Sequence, residues 1–144
     1  MTQIDFYTRV PNKLQTTCVL CAKALARNMQ VMILTPDPET TDRLDQLLWS
    51  SPPIAFVPHV RARHRLAAVT PVILDHEIEG VQRDELLINL CPEAPPVFSR
   101  FRRLIEIVGT DETDVLAGRQ RYRFYRDRGY ELRAHDLGQA SGAD

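Results

Sequence analysis

The stretch QVMILT, residues 30–35, is a short apolar run without the alternation of a half-exposed strand. Runs of this kind are typical of strands buried on both faces, as in parallel sheets covered by helices. A shorter strand is predicted upstream at Gln3 to Tyr7, and Asn12 to Asn28 carries apolar residues at the spacing of one helix face. The chain therefore begins β-α-β, which predicts a parallel sheet with right-handed crossovers.

The same strand and helix alternation continues along the chain. A helix that carries Leu44, Leu47 and Leu48 ends near Trp49. Further strands are predicted at Ala55 to His59, Val72 to Leu74, Leu86 to Leu90 and Tyr130 to Arg133, and further helices at Val97 to Val108 and Glu112 to Arg128. Asp111 is the expected N-cap of the last helix and Gly129 its C-cap.

These elements predict an α/β fold in a single domain over residues 1–136. The expected architecture is a Rossmann-like three-layer sandwich, with a mostly parallel central sheet and helices on both faces. Residues 137–144 are expected to form a frayed tail. A chain of 144 residues is long enough for one ordinary domain with a substantial core.

Composition restricts the classes of function. The formal net charge is −1, which argues against a protein that coats nucleic acid through many unpaired cations. The basic residues are nearly all arginine, the residue suited to forked recognition of carboxylates and phosphates. No signal peptide or membrane span is recognisable in the sequence, so a cytoplasmic location is expected, with no membrane contact.

No motif predicts catalysis, a metal or a cofactor. Cys18 and Cys21 have the C-x-x-C spacing of zinc and redox sites, but no second ligand pair accompanies them, and both fit a buried helix face. The turn after the first strand, residues 8–13, lacks the glycines of a phosphate-binding loop. The basic cluster Arg61 to Arg65 fits an exposed loop better than an anion site.

The segment GRQRYRFYRDRGY, residues 118–130, places arginines and tyrosines at helical spacing. Arg119, Tyr122, Arg123 and Arg126 occupy positions i, i+3, i+4 and i+7, so they share one helix face. Such a face suits an anionic partner. The pattern alone is equally compatible with a solvated arginine-rich helix whose tyrosines pack inward.

Several motifs together resemble the chi subunit of bacterial DNA polymerase III holoenzyme. They are Phe6-Tyr7, RLDQLLW at residues 43–49, FVPH at residues 56–59, RDELLINL at residues 83–90, and the helix from Arg119 to Tyr130. The resemblance extends from the first strand to about Leu132. The pair of motifs around Trp49 and Phe56 is the most specific part, because the arginine-tyrosine helix alone is a weak signal.

The resemblance implies a noncatalytic adaptor of the replication machinery. Chi proteins bind the acidic C-terminal tail of single-stranded DNA-binding protein (SSB) and the psi subunit of the clamp loader, so DNA is contacted only indirectly. It assigns Arg119, Tyr122, Arg123 and Arg126 to the SSB tail. Trp49 and Phe56 are assigned to psi and to alternative partners of the helicase type; the alternative for both is ordinary core packing.

The chain departs from the family pattern in two respects that affect this site. Val115 stands where some relatives carry a basic residue, which implies a less cationic site for the tail. Gly118 is also expected to weaken the helix, by up to about 1 kcal/mol relative to alanine. The remaining alternatives are a nucleotide-binding enzyme on the same frame and a direct binder of single-stranded DNA.

Overall fold

The computed structural model describes residues 1–50 and 57–138, within which three α-helices and seven strands are found. The helices are α1 (Lys13–Ala26), α2 (Pro38–Ser50) and α3 (Glu112–Asp127). The strands are β1 (Gln3–Thr8), β2 (Val31–Leu34), β3 (His59–Arg61), β4 (Val72–Asp75), β5 (Leu86–Asn89), β6 (Arg103–Ile107) and β7 (Leu132–Asp136). Short 3₁₀ turns occupy Ala67–Val69 and Phe98–Arg100.

The seven strands form one open sheet in the order β3-β4-β2-β5-β6-β1-β7. Every strand pair in the described part of the chain is parallel. From β1 the chain moves towards the β3 edge, and it then reverses and returns to the β7 edge. Because crossovers between parallel strands are right-handed, this reversal places the later connections on the opposite face of the sheet.

The core consists of two apolar layers separated by the sheet, which confirms the three-layer α/β sandwich. Helices α1 and α2 pack against one face, where alternate strand residues such as Val31 and Ile33 point. Helix α3 packs against the other face, which receives Met32 and Leu34. Since β2 is covered on both sides, its apolar run is continuous, as the sequence indicated.

The predicted helix at Val97 to Val108 is wrong. This segment contains a 3₁₀ turn followed by β6, which lies inside the sheet between β5 and β1. Apolar residues three or four positions apart imitated a helix face, although Leu104 and Ile105 point to opposite faces of the strand. Glu106 concealed the strand, because an acidic side chain is not expected in a buried position.

The ends of α3 were predicted correctly. The carboxylate of Asp111 accepts a hydrogen bond from the Asp114 N–H, and Gly129 follows the helix with φ +86°. The last strand is β7, two residues later than predicted at its start. Leu137 packs against the core. Residues 139–144, and Ala55 and Phe56 of the predicted extended segment, lie outside the described residues.

Candidate functional site: an apolar pocket beside helix α3

Helix α3 turns two kinds of side chain to opposite sides. Arg121, Tyr125 and Gly118 are buried against the sheet. Arg119, Arg123 and Arg126 are exposed, and Tyr122 is half-buried between the two sides. The four residues that were predicted to share a face therefore do so, with the ring of Tyr122 at its inner margin.

The buried side of α3 is fixed by a polar network around Glu106. The Nε of Arg121 donates to the Glu106 carboxylate over 2.8 Å, and the side-chain amide of Asn89 donates to both carboxylate oxygens over 3.0 Å. The hydroxyl of Tyr125 donates to the second oxygen. Arg121 also donates to the Pro92 carbonyl over 2.9 Å. These bonds join α3 to β5, β6 and the loop that follows β5.

Every charged member of this network is removed from water. The exposed fraction of the side chain is 3% for Arg121 and 0% for Glu106. Burial raises the pKa of Glu106 above its ordinary value, while Arg121 and the hydrogen bonds from Tyr125 and Asn89 act in the opposite direction. Burial, followed by the charge of Glu106, also raises the pKa of Tyr125. The network therefore sets the rotation of α3 and thus the direction of its exposed arginines.

A pocket of about 260 Å³ opens where α3 passes the carboxyl ends of β1 and β6. Its walls are mainly apolar, and Arg9 and Arg119 are the charged residues among them. The lining residues are Phe6, Thr8, Arg9, Val108, Gly109, Val115, Gly118, Arg119 and Tyr122. The ring of Tyr122 meets that of Phe6 edge-on, with centroids 5.2 Å apart. Such a pocket is large enough for one big apolar side chain.

Gly118 is needed for the close approach of α3 to the sheet. A Cβ atom at this position would lie 2.7 Å from a methyl group of Val108, which is closer than van der Waals contact allows. Glycine lowers the stability of the helix itself, but it allows α3 to pack closely against the end of β6. Val115 forms part of the apolar wall.

Arg9 was not predicted as a site residue. It follows β1 in a left-handed conformation with φ +52°, which is uncommon for a residue other than glycine. Its Nε donates to Asp136 over 2.8 Å, and its Nη2 donates to the second oxygen of the same carboxylate. The available signal was an arginine two residues after the end of the first predicted strand, at the edge where parallel strands end.

The second predicted surface lies at the other edge of the sheet. Trp49, near the end of α2, is 61% exposed, and its ring packs edge-on against His59 of β3 with centroids 5.3 Å apart. Asp45 lies 3.2 Å from the Nε2 of His59. Trp49 is thus an exposed aromatic residue and not core, whereas Phe56 lies outside the described residues.

Most of the chain matches a known family. Residues 1–133 match the family described as DNA polymerase III chi subunit, HolC. The chain belongs to the chi family. Chi is a subunit of DNA polymerase III, so the protein is an accessory subunit of DNA replication.

Three individual chi subunits match over more than four fifths of this chain. The DNA polymerase III subunit chi of Pseudomonas aeruginosa is 40% identical over 143 residues, covering 95% of this chain and 98% of the relative. That of Haemophilus influenzae is 28% identical over 125 residues, covering 86% and 87%. The Escherichia coli subunit is also 28% identical, over 119 residues, covering 82% and 81%.

A solved structure resembles this chi-family chain in fold alone. The C-terminal domain of S. cerevisiae Dbp5, solved bound to Gle1 and IP6, has a TM-score of 0.55 at 12% sequence identity. The similarity covers 94% of this chain and 90% of the yeast chain. At so low an identity, the similarity supports the sandwich architecture and nothing about ligands.

Rossmann-like enzymes hold ligands in a crevice at the carboxyl ends of their strands. In this chi-family chain the corresponding crevice is lined partly by polar and charged residues. It measures about 420 Å³ and is lined in part by Asn12, Lys13, Thr40 and Arg43. The side chain of Asn12 caps α1, and Lys13 contacts Asp114 over 3.1 Å. Both side chains are therefore already engaged within the protein.

The cysteines and the basic cluster take structural positions. Cys18 and Cys21 are buried on the inner face of α1, as predicted, and burial raises the pKa of Cys18 to about 11. In the basic cluster, Arg61 pairs with Asp42 over 2.6 Å and Arg63 with Glu77 over 2.9 Å.

No helix within residues 1–50 and 57–138 combines the length and apolar character needed to cross a membrane.

Proposed function

We propose that this chi subunit is a noncatalytic adaptor that binds the acidic C-terminal tail of SSB and connects it to the clamp loader through psi. The observation that carries the first half is the apolar pocket that has Arg119 in its wall, with the other exposed arginines of α3 further along the same helix. The pocket supplies a place for an apolar side chain, and the arginines supply positive charge beside it. An acidic peptide that ends in an apolar residue complements both features.

The recognition mechanism follows from this arrangement. The terminal apolar side chain, usually phenylalanine in the family's ligand, enters the pocket against Tyr122 and Val108. Arg119 binds carboxylate at the rim, since guanidinium groups form strong forked hydrogen bonds with carboxylates. Arg123 and Arg126 lie further along the exposed side of α3, where they attract the aspartates that precede the last residue. In the described residues Arg119 and Arg123 have no ion-pair partner, so both are available.

The expected affinity is modest. A short flexible peptide loses conformational entropy when it binds, so a micromolar dissociation constant, about −8 kcal/mol, is the natural range. Several tails on one SSB tetramer would raise the apparent affinity through effective concentration. Exposed charge pairs are also screened by salt, so binding should weaken as ionic strength rises.

The bridging half of the proposal is supported by the separation of the two surfaces. The pocket lies beside β1 and β6, near one edge of the sheet, while Trp49 packs on β3 at the other edge. Two partners could therefore bind at once. Psi, or a partner of the helicase type, is assigned to the surface around Trp49 and Phe56. DNA would be reached only through SSB, and the protein would act in the cytoplasm.

The first test replaces Arg126 by alanine and measures binding of an SSB tail peptide by isothermal titration calorimetry. We expect affinity to fall by ~1 to 3 kcal/mol because a charge-assisted hydrogen bond is lost. Arg133→Ala is a matched control, since Arg126 and Arg133 have side chains that are both 58% exposed. The control should bind as the wild type does.

Equal affinity of wild type and Arg126→Ala would remove Arg126 from the site. Absence of any binding by the wild type would contradict the proposed function itself. A parallel titration against a labelled oligonucleotide, with and without SSB, separates this function from direct binding of single-stranded DNA. Tight binding without SSB would favour the direct binder.

The second test concerns Trp49. Replacing it by alanine should weaken psi binding by ~1 to 3 kcal/mol, because exposed aromatic residues are frequent energetic centres of interfaces. The melting temperature should change little, since the ring is 61% exposed. Fluorescence anisotropy with labelled psi measures the affinity. A large loss of stability with unchanged affinity would show that Trp49 serves packing instead.

A further inference from the structure

We propose that Arg9 binds the α-carboxylate of the peptide whose last side chain fills the pocket, and that it does so together with Arg119. This inference rests on the proposed function and deepens it by naming the group that makes the site specific for a chain terminus. Arg9 and Arg119 both line the pocket, one from the end of β1 and the other from α3. They supply positive charge from two different elements of the pocket wall.

Arg9 is held in place before any ligand arrives. Its Nε and Nη2 donate to the two oxygens of Asp136 in a forked arrangement. Gly138 lies against the same guanidinium, since a Cβ atom there would be 2.8 Å from Nε. The side chain is nonetheless 58% exposed, so a ligand can reach it. Fixing an arginine in this way reduces the entropy that is lost when the ligand binds.

The fork leaves Arg9 able to bind a second carboxylate. A guanidinium carries five N–H groups, of which the contact with Asp136 uses two. Both N–H groups of Nη1 and one of Nη2 remain for a ligand. Arg9 can therefore bind a peptide carboxylate without releasing Asp136, and Asp136 acts as the positioning residue for this contact.

The chemistry of a peptide terminus explains why the pocket selects it. Only the last residue of a chain carries an apolar side chain and a negative charge on the same Cα. A pocket with apolar walls and an arginine within those walls complements both groups at once. An internal apolar residue would bring an uncharged amide against the arginines, which would lose the forked ion pair with a carboxylate.

The backbone of Arg9 determines which substitution tests this role. At φ +52°, alanine would be strained, whereas asparagine tolerates the left-handed region. We therefore choose Arg9→Asn, with Arg133→Asn as the control. Arg133 has the same exposed fraction of 58%, and its side chain lies on the face of β7 opposite to Asp136. Melting curves establish that both variants are folded.

The experiment titrates each protein with two synthetic acidic peptides that end in phenylalanine, one with a free carboxylate and one amidated. For wild type and Arg133→Asn, we expect amidation to weaken binding about tenfold or more. For Arg9→Asn, affinity for the free peptide should fall about tenfold, and amidation should weaken binding only a few-fold further. The two changes remove one shared contact, so their effects should not add.

The outcomes distinguish this inference from the proposed function. If Arg9→Asn and amidation have fully additive effects, Arg9 does not bind the α-carboxylate and the inference is overturned. The inference is also overturned if Arg9→Asn binds the free peptide as the wild type does while Arg126→Ala loses affinity. In that case the proposed function stands. If wild type binds neither peptide, both the proposed function and this inference fail.

Discussion

Replacing Arg121 by methionine is expected to lower the free energy of unfolding by about 3–5 kcal/mol, because the buried carboxylate of Glu106 would lose its charge partner. Methionine fills much of the volume of the arginine side chain, so the loss of stability reports mainly on charge and hydrogen bonding. Urea unfolding followed by circular dichroism measures the change. A cost below about 1 kcal/mol would mean that the pair does not hold α3 in place.

The pH dependence of the Arg121→Met variant gives an independent measurement. Without the arginine, the pKa of Glu106 in the folded state should rise further above its ordinary value of 4.5. The folded state then takes up the proton at a higher pH than the unfolded state, so lowering the pH towards 5 stabilises the variant relative to wild type. Adding Glu106→Gln should recover part of the lost stability at neutral pH and remove this pH dependence.

Replacing Gly118 by valine is expected to damage both the fold and the site. The new Cβ would begin 2.7 Å from Val108, and overpacking of this kind costs ~1 to 3 kcal/mol. Either α3 moves away from the sheet or Val108 is displaced, and both changes alter the pocket. Affinity for the SSB tail peptide should therefore fall more than tenfold at a temperature where the variant is still folded.

Gln120→Val is the control for this substitution. It places the same β-branched side chain on α3, at an exposed position. Any general effect of valine on the helix should appear in both variants, whereas the loss of affinity should appear only in Gly118→Val. Wild-type affinity in a folded Gly118→Val variant would show that the pocket does not depend on the close approach of α3.

Much of the fold could be predicted because local pattern and tertiary environment agree there. In β2 the apolar run matches burial on both faces, and at α3 the Asp111 cap and Gly129 mark the ends. The sequence pattern gave a wrong secondary structure where a buried polar residue interrupts it. In β6, apolar residues three or four positions apart imitated a helix face, and Glu106 concealed the strand. Only the distant partners Arg121 and Asn89 explain how its charge is accommodated.

The exposed half of the candidate site was accessible from helical spacing, whereas the pocket was not. Arg119 and Tyr122 were identified as neighbours on one helix face, and the structure places both at the pocket. The opposite wall comes from Phe6 and Arg9 and from Val108, which lies about a hundred residues later in the sequence. No local pattern relates such residues, since the sheet topology alone brings them together.

The sheet order also determines when this site can exist during synthesis. Strand β1 pairs only with β6 and β7 among the described strands, so its pairing cannot form until these two later strands have been synthesised. Asp136, which holds the Arg9 side chain, is synthesised 127 residues after it. A chain synthesised only to the end of β6 therefore lacks both the α3 wall of the pocket and the carboxylate that holds Arg9.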